Sequence, residues 1–391
     1  MGKSIEKKLG SLVIFRNILK LPTVKCLIEL EKTDRTDTDG LVFAYGEFMS
    51  SLLLDNKNFS KYMLDAILCD ENIYTSYKVT HISDSYYEDL LLRELKIIKE
   101  ISLYDGSDVR ELCSDEDLPV WQTEDIDFEK IYLERMSEID KKGYGIFTNH
   151  RMFVVTDDGG LTPIKNPDDI SLHDLVGYER ERNQVILNTQ SFLSGKPANN
   201  VLLYGDAGTG KSSTVKAIVN SMYKEGLRLI EFKKDQLSLI PKVTEHLTNN
   251  PLKFIFFIDD LTFRSDDKDF CALKATLEGG VTDRGNNIVI YATSNHRHMI
   301  KESESVRADS VNTADMIQET VSLSARFGIT VTYLKSDRES FASIVLELAR
   351  RADIEMPETE LIVQAEAFAI RAGGRNPRTA KQFINLLKAN G

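Results

Sequence analysis

The stretch from Val201 to Ser213 constrains the fold of this chain more than any other. Its first four residues read as a short buried strand, Gly205–Ser212 follow the pattern G-x-x-x-x-G-K-S, and a helix is predicted next. The glycines let the loop bend until successive backbone N–H groups point inward, and the helix adds its positive N-terminal end. In this context the Lys211 amine can reach the phosphate oxygens of a nucleotide, and the Ser212 hydroxyl can ligate Mg²⁺. The pattern therefore predicts a phosphate site, the alternative being a glycine-rich turn with a solvated lysine.

Strands alternate with helices on both sides of this loop. The predicted strands cover residues 201–204, 227–232, 253–258, 288–292 and 329–334, and helices are predicted over residues 236–248 and 270–277. Such alternation favours an α/β fold with a parallel sheet that is covered on both faces. From Asp337 onward the apolar spacing is helical. The predicted domains are residues 1–165, 166–335 and 336–391, the second being the α/β nucleotide-binding core.

Residues 1–165 have a different character. Apolar residues recur at helical spacing over residues 43–54, 62–68 and 90–101, and residues 144–164 are predicted to end this domain with a β-hairpin. Trp121, the only tryptophan, lies in an acidic stretch that predicts no particular element. Because no catalytic spacing occurs here, we assign this mainly helical domain to recognition or assembly.

The negative charge is concentrated in the same region. Residues 1–170 hold 21 Lys and Arg against 33 Asp and Glu, a net charge of −12, while the remaining residues balance. An acidic surface repels phosphate, so nucleic acid is not the favoured partner. The acidity is interpreted either as a solvated face or as a docking surface for a basic protein. Scattered cysteines and the lack of an apolar run long enough to span a membrane predict a cytoplasmic protein.

Polar residues follow two of the predicted strands. Asp259 and Asp260 end the apolar strand 253–258, and Asn295 follows the next strand. The carboxyl ends of parallel strands open toward the same crevice as the glycine loop. Asp259 is suited to hold the Mg²⁺ shell, whereas Asp260 and Asn295 are suited to orient the water that attacks the γ-phosphate. The structural alternatives are an Asp-Asp turn after a core strand and an asparagine that caps a turn.

Arginines supply the remaining candidates. Arg326, just before the last strand, is suited to enter the site of a neighbouring subunit, and Arg378, at a helix start, could close on the nucleotide of its own subunit. A surface salt bridge and a basic capping cluster are the respective alternatives. The run His296-Arg297-His298 lacks the ligand spacing of a helical metal site, and we interpret it as a polar loop.

Taken together, these motifs resemble those of AAA+ ATPases. Gly205–Ser212 matches the Walker A loop, Ile255–Asp260 matches Walker B, Asn295 matches sensor 1, and Arg326 matches the arginine finger. Arg378, or alternatively Arg375, matches sensor 2. The segments Gly177-Tyr178-Glu179, Asn199–Leu203 and Ala292–Asn295 further resemble a bacterial AAA+ family described only as predicted ATP-binding proteins. This resemblance is strong over residues 165–391 and weaker before them.

The resemblance implies a five-stranded sheet in the order 5-1-4-3-2, ATP bound between the core and a helical lid of residues 336–391, and possible assembly into a ring. It places Val176, Gly177 and Tyr178 near the adenine. The complete set of predicted nucleotide-binding residues is Val176, Gly177, Tyr178, Gly205, Asp206, Ala207, Gly208, Thr209, Gly210, Lys211, Ser212 and Ser213, with Ser212 and Asp259 as metal ligands. Many AAA+ proteins carry glutamate where Asp260 stands, so turnover by this chain is expected to be slow.

The expected function is that of a Mg²⁺-dependent ATPase whose cycle drives a conformational change or remodels an unknown partner. ATP and Mg²⁺ are the expected ligands. A homo-oligomer through Arg326 and a protein partner through the acidic N-terminal domain are the expected contacts. Two alternatives stay open: an ATP-gated interaction or scaffold protein with little turnover, and a DNA-associated loader.

Overall fold

The computed structural model of the chain describes residues 4–79, 84–113, 118–261, 273–274, 277, 286–295 and 325–390. Their contacts divide the chain into two compact units, unit 1 (Met1–Asn149) and unit 2 (His150–Gly391). The division falls before the hairpin that the sequence assigned to the N-terminal domain. In the described part of the chain, no helix combines the length and the apolar character needed to cross a membrane.

Unit 1 is helical. Its helices are α1 (Ile5–Gly10), α2 (Pro22–Lys32), α3 (Thr38–Asp55), α4 (Phe59–Leu68), α5 (Ile73–Val79), α6 (Ser85–Ser102), α7 (Ser107–Cys113), α8 (Phe128–Ser137) and α9 (Ile139–Lys142). Several begin at a side chain that accepts a free backbone N–H of the first turn, as Asp37 does for α3 and Asn58 for α4. The three helices predicted here all exist, and each extends beyond its predicted N-terminal end.

An aromatic cluster and one buried carboxylate organise the core of unit 1. Trp121, 3% exposed, packs against Tyr45, Phe48 and Tyr104, and its indole N–H donates to the Tyr104 carbonyl. Glu94 on α6, 1% exposed, accepts three backbone N–H groups from residues 13–15, at 2.7, 3.0 and 3.1 Å. The N-terminal segment is therefore attached to α6 by polar contacts as well as by apolar packing.

Unit 2 is built on a seven-stranded sheet. The strands are β1 (Met152–Val155), β2 (Leu161–Pro163), β3 (Val201–Gly205), β4 (Leu227–Phe232), β5 (Lys253–Ile258), β6 (Ile288–Ser294) and β7 (Ile329–Tyr333). Their order is β2-β1-β4-β5-β6-β3-β7, and every pair is parallel except β1 with β2. A count of five strands is therefore wrong, because the hairpin β1–β2 pairs with β4 and extends the sheet. Strands β3 to β7 keep the neighbours of a 5-1-4-3-2 arrangement.

Helices cover this sheet and follow it. They are α10 (Glu179–Leu193), α11 (Lys211–Met222), α12 (Ile240–Leu247), α13 (Arg338–Arg351), α14 (Glu358–Arg371) and α15 (Pro377–Asn390). The last three share an apolar core that includes Phe341, Leu361 and Phe383. The helix predicted over residues 236–248 begins later, at Ile240 after a 3-10 turn, where Pro241 occupies the first turn of α12. The helix predicted over residues 270–277 lies mostly outside the described residues.

Candidate functional site

The loop between β3 and α11 has the backbone that its glycines predict. Gly205, Gly208 and Gly210 all have positive φ angles, 135°, 80° and 95°. A side chain at Gly205 would collide with the carbonyl of Tyr333 on β7, so that position also requires the closeness of approach that only glycine allows. Thr209 closes the loop by donating its hydroxyl to the Asp206 carbonyl at 2.8 Å. This conformation leads directly into the N-terminus of α11.

Lys211 lies at the centre of the site and is 6% exposed. Its Nζ donates to the carbonyls of Gly205 and Asp206, at 2.9 and 2.8 Å, and to Oδ1 of Asn295 at 2.9 Å. Burial lowers the pKa of this amine, and the nearby carboxylates of Asp206, Asp260 and Asp259 oppose that shift. The lysine is thus held at the loop by neutral acceptors that a phosphate group could replace.

Ser212 and Asp259 meet beside this lysine. The Ser212 hydroxyl donates to Oδ1 of Asp259 at 2.6 Å, and the hydroxyl of Thr293 on β6 donates to the same oxygen at 2.6 Å. Strands β5 and β6 are in register at Ile258 and Ala292, which brings Asp259 level with Thr293. The two predicted metal ligands therefore lie within hydrogen-bond distance of each other.

The backbone of Asp260 turns toward the Thr293 hydroxyl. Its φ angle of 51° lies in the left-handed region, and its backbone N–H donates to the Thr293 hydroxyl at 2.9 Å. Aspartate tolerates this conformation better than most residues. Its Oδ1 accepts the Nδ2 amide of Asn295 at 2.7 Å, while the other end of that amide accepts Lys211. Hydrogen bonds thus link Lys211 to Asn295 and Asn295 to Asp260.

A cavity of about 230 Å³ adjoins the glycine loop. Gly208, Ser213 and Val176 line it together with Arg378 of α15, whose backbone N–H donates to the Gly208 carbonyl at 3.2 Å. Arg375 instead forms an ion pair with Glu366, with nitrogen–oxygen distances of 2.8 and 2.9 Å. Of the two arginines considered for sensor 2, Arg378 is the one beside the loop.

Gly177 and Tyr178 face elsewhere. They line a second cavity, of about 850 Å³, and only Val176 of the predicted adenine segment lines both. Tyr178 stacks on Tyr333 with ring centroids 5.2 Å apart and donates its hydroxyl to the Leu334 carbonyl. The Tyr178 side chain is therefore engaged at the end of β7, and its place beside the adenine stays a prediction.

The family of the chain follows from a comparison with protein-family models. Residues 147–391 match the model described as a protein of unknown function, DUF815. The chain belongs to the DUF815 family. The matched region begins three residues before unit 2, so the DUF815 region and the site-bearing unit nearly coincide. Comparison with curated proteins returns no match.

Solved structures similar to this DUF815 protein include RuvB, a Holliday junction branch migration motor from Thermotoga maritima, at 18% identity and a TM-score of 0.37. Two single-residue variants of RuvB give 16% and 17% identity, each with a TM-score of 0.39. All three alignments cover 56% of this chain and 64% of the RuvB chain, which is less than two thirds. Identities and TM-scores this low carry no information on the function of the DUF815 protein.

The backbone of Arg326 lies at the opposite end of β7 from the glycine loop. It precedes the amino end of β7, whereas the glycine loop follows the carboxyl end of β3. The two strands are parallel and pair from Val201 with Ile329 to Gly205 with Tyr333, so the length of the strand separates them. The run His296-Arg297-His298, predicted as a polar loop, lies outside the described residues.

Thr293 lies in the candidate site, although the sequence assigned it no role. It is 2% exposed and bonds to both Asp259 and Asp260. One signal for it exists in the sequence: it is a polar residue in a fully buried strand, two positions before Asn295, and alternate residues of a strand share a face. Ala207, by contrast, is exposed at the tip of the loop.

Proposed function

We propose that unit 2 of this DUF815 protein binds ATP with Mg²⁺ and hydrolyses it, as AAA+ ATPases do. The observation that supports this proposal most strongly is the convergence of Lys211, Ser212, Asp259, Asp260 and Asn295 at the carboxyl edge of the sheet. A lysine, a hydroxyl–carboxylate pair and a carboxylate–amide pair in this arrangement provide the groups that phosphoryl transfer needs. The choice of ATP among nucleoside triphosphates rests on the resemblance to AAA+ ATPases.

The donor atoms fit a magnesium ion. Mg²⁺ prefers hard oxygen ligands and keeps several waters, and the Ser212 hydroxyl and the Asp259 carboxylate are oxygen donors 2.6 Å apart. Among the residues that the structure describes, no group of three or more His, Cys, Asp and Glu side chains could hold a metal. Phosphate oxygens and water would therefore complete the coordination. When bound, the ion would neutralise charge on the phosphates.

The protein side chains around the phosphate site have different proposed roles, according to their positions. When a nucleotide binds, Lys211 exchanges the carbonyls of Gly205 and Asp206 for phosphate oxygens. The negative charge of these oxygens offsets the cost of burying the lysine amine. Asp260 and Asn295 hold the attacking water, and the Asn295–Asp260 hydrogen bond fixes the carboxylate for that task. Arg378, which lines the adjoining cavity, supplies positive charge from α15.

The oligomeric state and the partner of the protein are proposed from residues outside the nucleotide site. We propose that α13 to α15 act as a lid, and that Arg326 serves the site of a neighbouring subunit in a homo-oligomer, because it lies far from its own loop. Unit 1, with its acidic surface, is the proposed contact to a protein partner, and nucleic acid is not favoured. We place the protein in the cytoplasm, where the thiols Cys26, Cys69 and Cys113 would stay reduced.

A nucleotide-gated interaction protein with little turnover is the second candidate. The observation in its favour is Asp260, which stands where many AAA+ ATPases have glutamate and which reaches one methylene less far. Its left-handed backbone and its bond to Asn295 leave little freedom to compensate for that length.

Binding and turnover of ATP by the full chain test the proposal. Calorimetry and steady-state phosphate release should be measured on the wild type, on Lys211→Ala, and on Lys224→Ala, an exposed lysine of the same unit, as the matched control. We expect Lys211→Ala to lose ATP binding, because the only side-chain cation buried in the described loop is removed, and Lys224→Ala to behave as the wild type. ATP affinity unchanged by Lys211→Ala would contradict the proposal. Tight binding with negligible turnover in the wild type would favour the second candidate.

A further inference from the structure

Asp206, the second residue of the glycine loop, contacts the segment that joins the sheet to α13. Its Oδ2 accepts the backbone N–H of Lys335 at 2.8 Å. Its own backbone N–H donates to the Tyr333 carbonyl at 2.9 Å. We define residues 334–337, between β7 and α13, as the hinge segment. The carboxylate is thus bonded to the hinge segment, although the sequence placed this residue among the nucleotide contacts.

The same residue is bonded to the lysine of the site. The Asp206 carbonyl accepts Nζ of Lys211 at 2.8 Å and also the Thr209 hydroxyl at 2.8 Å. Any phosphate that takes the lysine amine must compete with this carbonyl. One residue therefore contacts the phosphate-binding cation through its main chain and the hinge segment through its side chain.

The hinge segment is fixed at each of its other residues. The Leu334 carbonyl accepts the Tyr178 hydroxyl, and the Ser336 N–H donates to the Arg375 carbonyl at 3.3 Å. Asp337 caps α13 by accepting the Ser340 N–H at 2.8 Å. Because each residue is held, a displacement of Lys335 would pass to α13 and to the turn that precedes α15.

We propose that Asp206 is a positioning residue that couples occupancy of the phosphate site to the hinge segment and thus to the C-terminal helices. Phosphate oxygens that draw Lys211 away from the Asp206 carbonyl change the restraint on this residue. Its carboxylate then transmits the change to the Lys335 N–H. The inference rests on the proposed function, since it requires a nucleotide in the site.

Hydrogen–deuterium exchange on the full chain tests this coupling, with and without a non-hydrolysable ATP analogue. The variants are Asp206→Ala, Asp206→Asn, which keeps an oxygen acceptor, and Asp235→Ala, an exposed aspartate of the same unit, as control. In the wild type the analogue should slow exchange in both the loop and the hinge segment. In Asp206→Ala it should slow exchange in the loop alone. Turnover should fall about tenfold while affinity for the analogue changes less than about threefold.

The outcomes separate this inference from the function on which it rests. Asp206→Asn should retain hinge protection, and Asp235→Ala should match the wild type. Hinge protection in Asp206→Ala equal to that of the wild type would overturn the coupling and leave the proposed function standing. Loss of loop protection in Asp206→Ala at saturating analogue would make Asp206 a binding residue and would also overturn it. If Asp206→Asn behaved like Asp206→Ala, charge near Lys211 would be the cause, not the hinge bond. No protection in the wild type would overturn both proposals.

Discussion

The Thr293 hydroxyl contacts both aspartates of the site. It donates to the carboxylate of Asp259 and accepts the backbone N–H of Asp260, so a single buried oxygen holds the Asp259 side chain and the Asp260 main chain. Groups of this kind touch neither substrate nor metal, but they hold the orientation of the residues that do. Their loss commonly lowers activity or metal affinity about 10–100-fold. On the proposed function, Thr293 would be a positioning residue for Asp259 and Asp260.

Replacing Thr293 with valine tests this role at nearly constant volume. The change removes the donor to Asp259 and leaves the Asp260 N–H without its acceptor, so we expect kcat for ATP to fall about 10–100-fold. ATP affinity should change much less, because Lys211 and the loop are untouched. Steady-state kinetics and calorimetry measure the two quantities, and Thr293→Ser, which restores the hydroxyl, should recover most of kcat. Equal activities for the valine and serine variants would contradict the assignment.

At this scale the local pattern predicts some residues well and others poorly. Positive φ angles at Gly205, Gly208 and Gly210, and the burial of Lys211, follow from the loop motif itself. The role of Thr293 depends on the register between β5 and β6, and the position of Tyr178 depends on what lies beside the end of β7. The strand register and the packing of Tyr178 are both long-range contacts that local sequence patterns do not indicate, so neither was predicted.

Among the elements, α6 shows how unit 1 secures its N-terminal segment. Three backbone N–H groups of residues 13–15 converge on the Glu94 carboxylate, which is buried. A carboxylate that accepts several N–H groups satisfies donors that would otherwise be buried without partners. The segment around Phe15 can therefore pack on the helices of unit 1 without regular secondary structure at residues 13–15.

Glu94→Ala should destabilise unit 1 by about 3 kcal/mol or more, because three N–H groups lose a charged acceptor. Urea unfolding of the full chain, followed through the fluorescence of Trp121, reports this unit, since Trp121 is the only tryptophan and is buried there. The matched control is Glu100→Ala on the same helix. Glu100 is 61% exposed and pairs with Lys8, so its loss should cost less than about 1 kcal/mol. Equal shifts in the two variants would mean that the buried contacts add nothing.

The helices and strands themselves were predicted more reliably than the way the strands pair. Apolar periodicity indicated α3, α4 and α6, and the alternation of elements indicated β3 to β7. The hairpin β1–β2 was also predicted, but its pairing with β4 of unit 2 was not. Its pairing of Phe153 with Ile230 is a long-range contact, and period-two apolar residues indicate a strand without naming its neighbour.

For the molecule as a whole, the position of Arg326 bears on whether each ATP site is complete in one chain or is shared between two subunits. The residue lies beyond the amino end of β7, a full strand away from the loop of its own chain. An arginine that reaches the γ-phosphate from a neighbouring subunit is worth about 10³–10⁵ in rate. Its effect would then depend on assembly.

A mixture of two inactive variants tests for such sharing. Arg326→Ala lacks the donated arginine, and Asp260→Asn lacks its own water-holding carboxylate but still offers Arg326. Each alone should hydrolyse ATP poorly, and mixing should restore activity because some sites then combine an intact Asp260 with an intact arginine. Phosphate release across mixing ratios measures this, with light scattering to follow assembly. Activity that never exceeds the sum of the separate variants would mean that Arg326 acts within its own chain or not at all.

The walls of the smaller cavity come from distant parts of unit 2: Ile170 and Val176 precede β3 in the chain, and Pro377 and Lys381 belong to α15. During synthesis, the glycine loop leaves the ribosome long before α15 does. A nascent chain that has not yet reached Pro377 lacks one side of the enclosure, including the Arg378 contact to Gly208. A chain cut before Pro377 would therefore leave the cavity open on the side that α15 encloses, and nucleotide capture would require α15 to be folded against the loop.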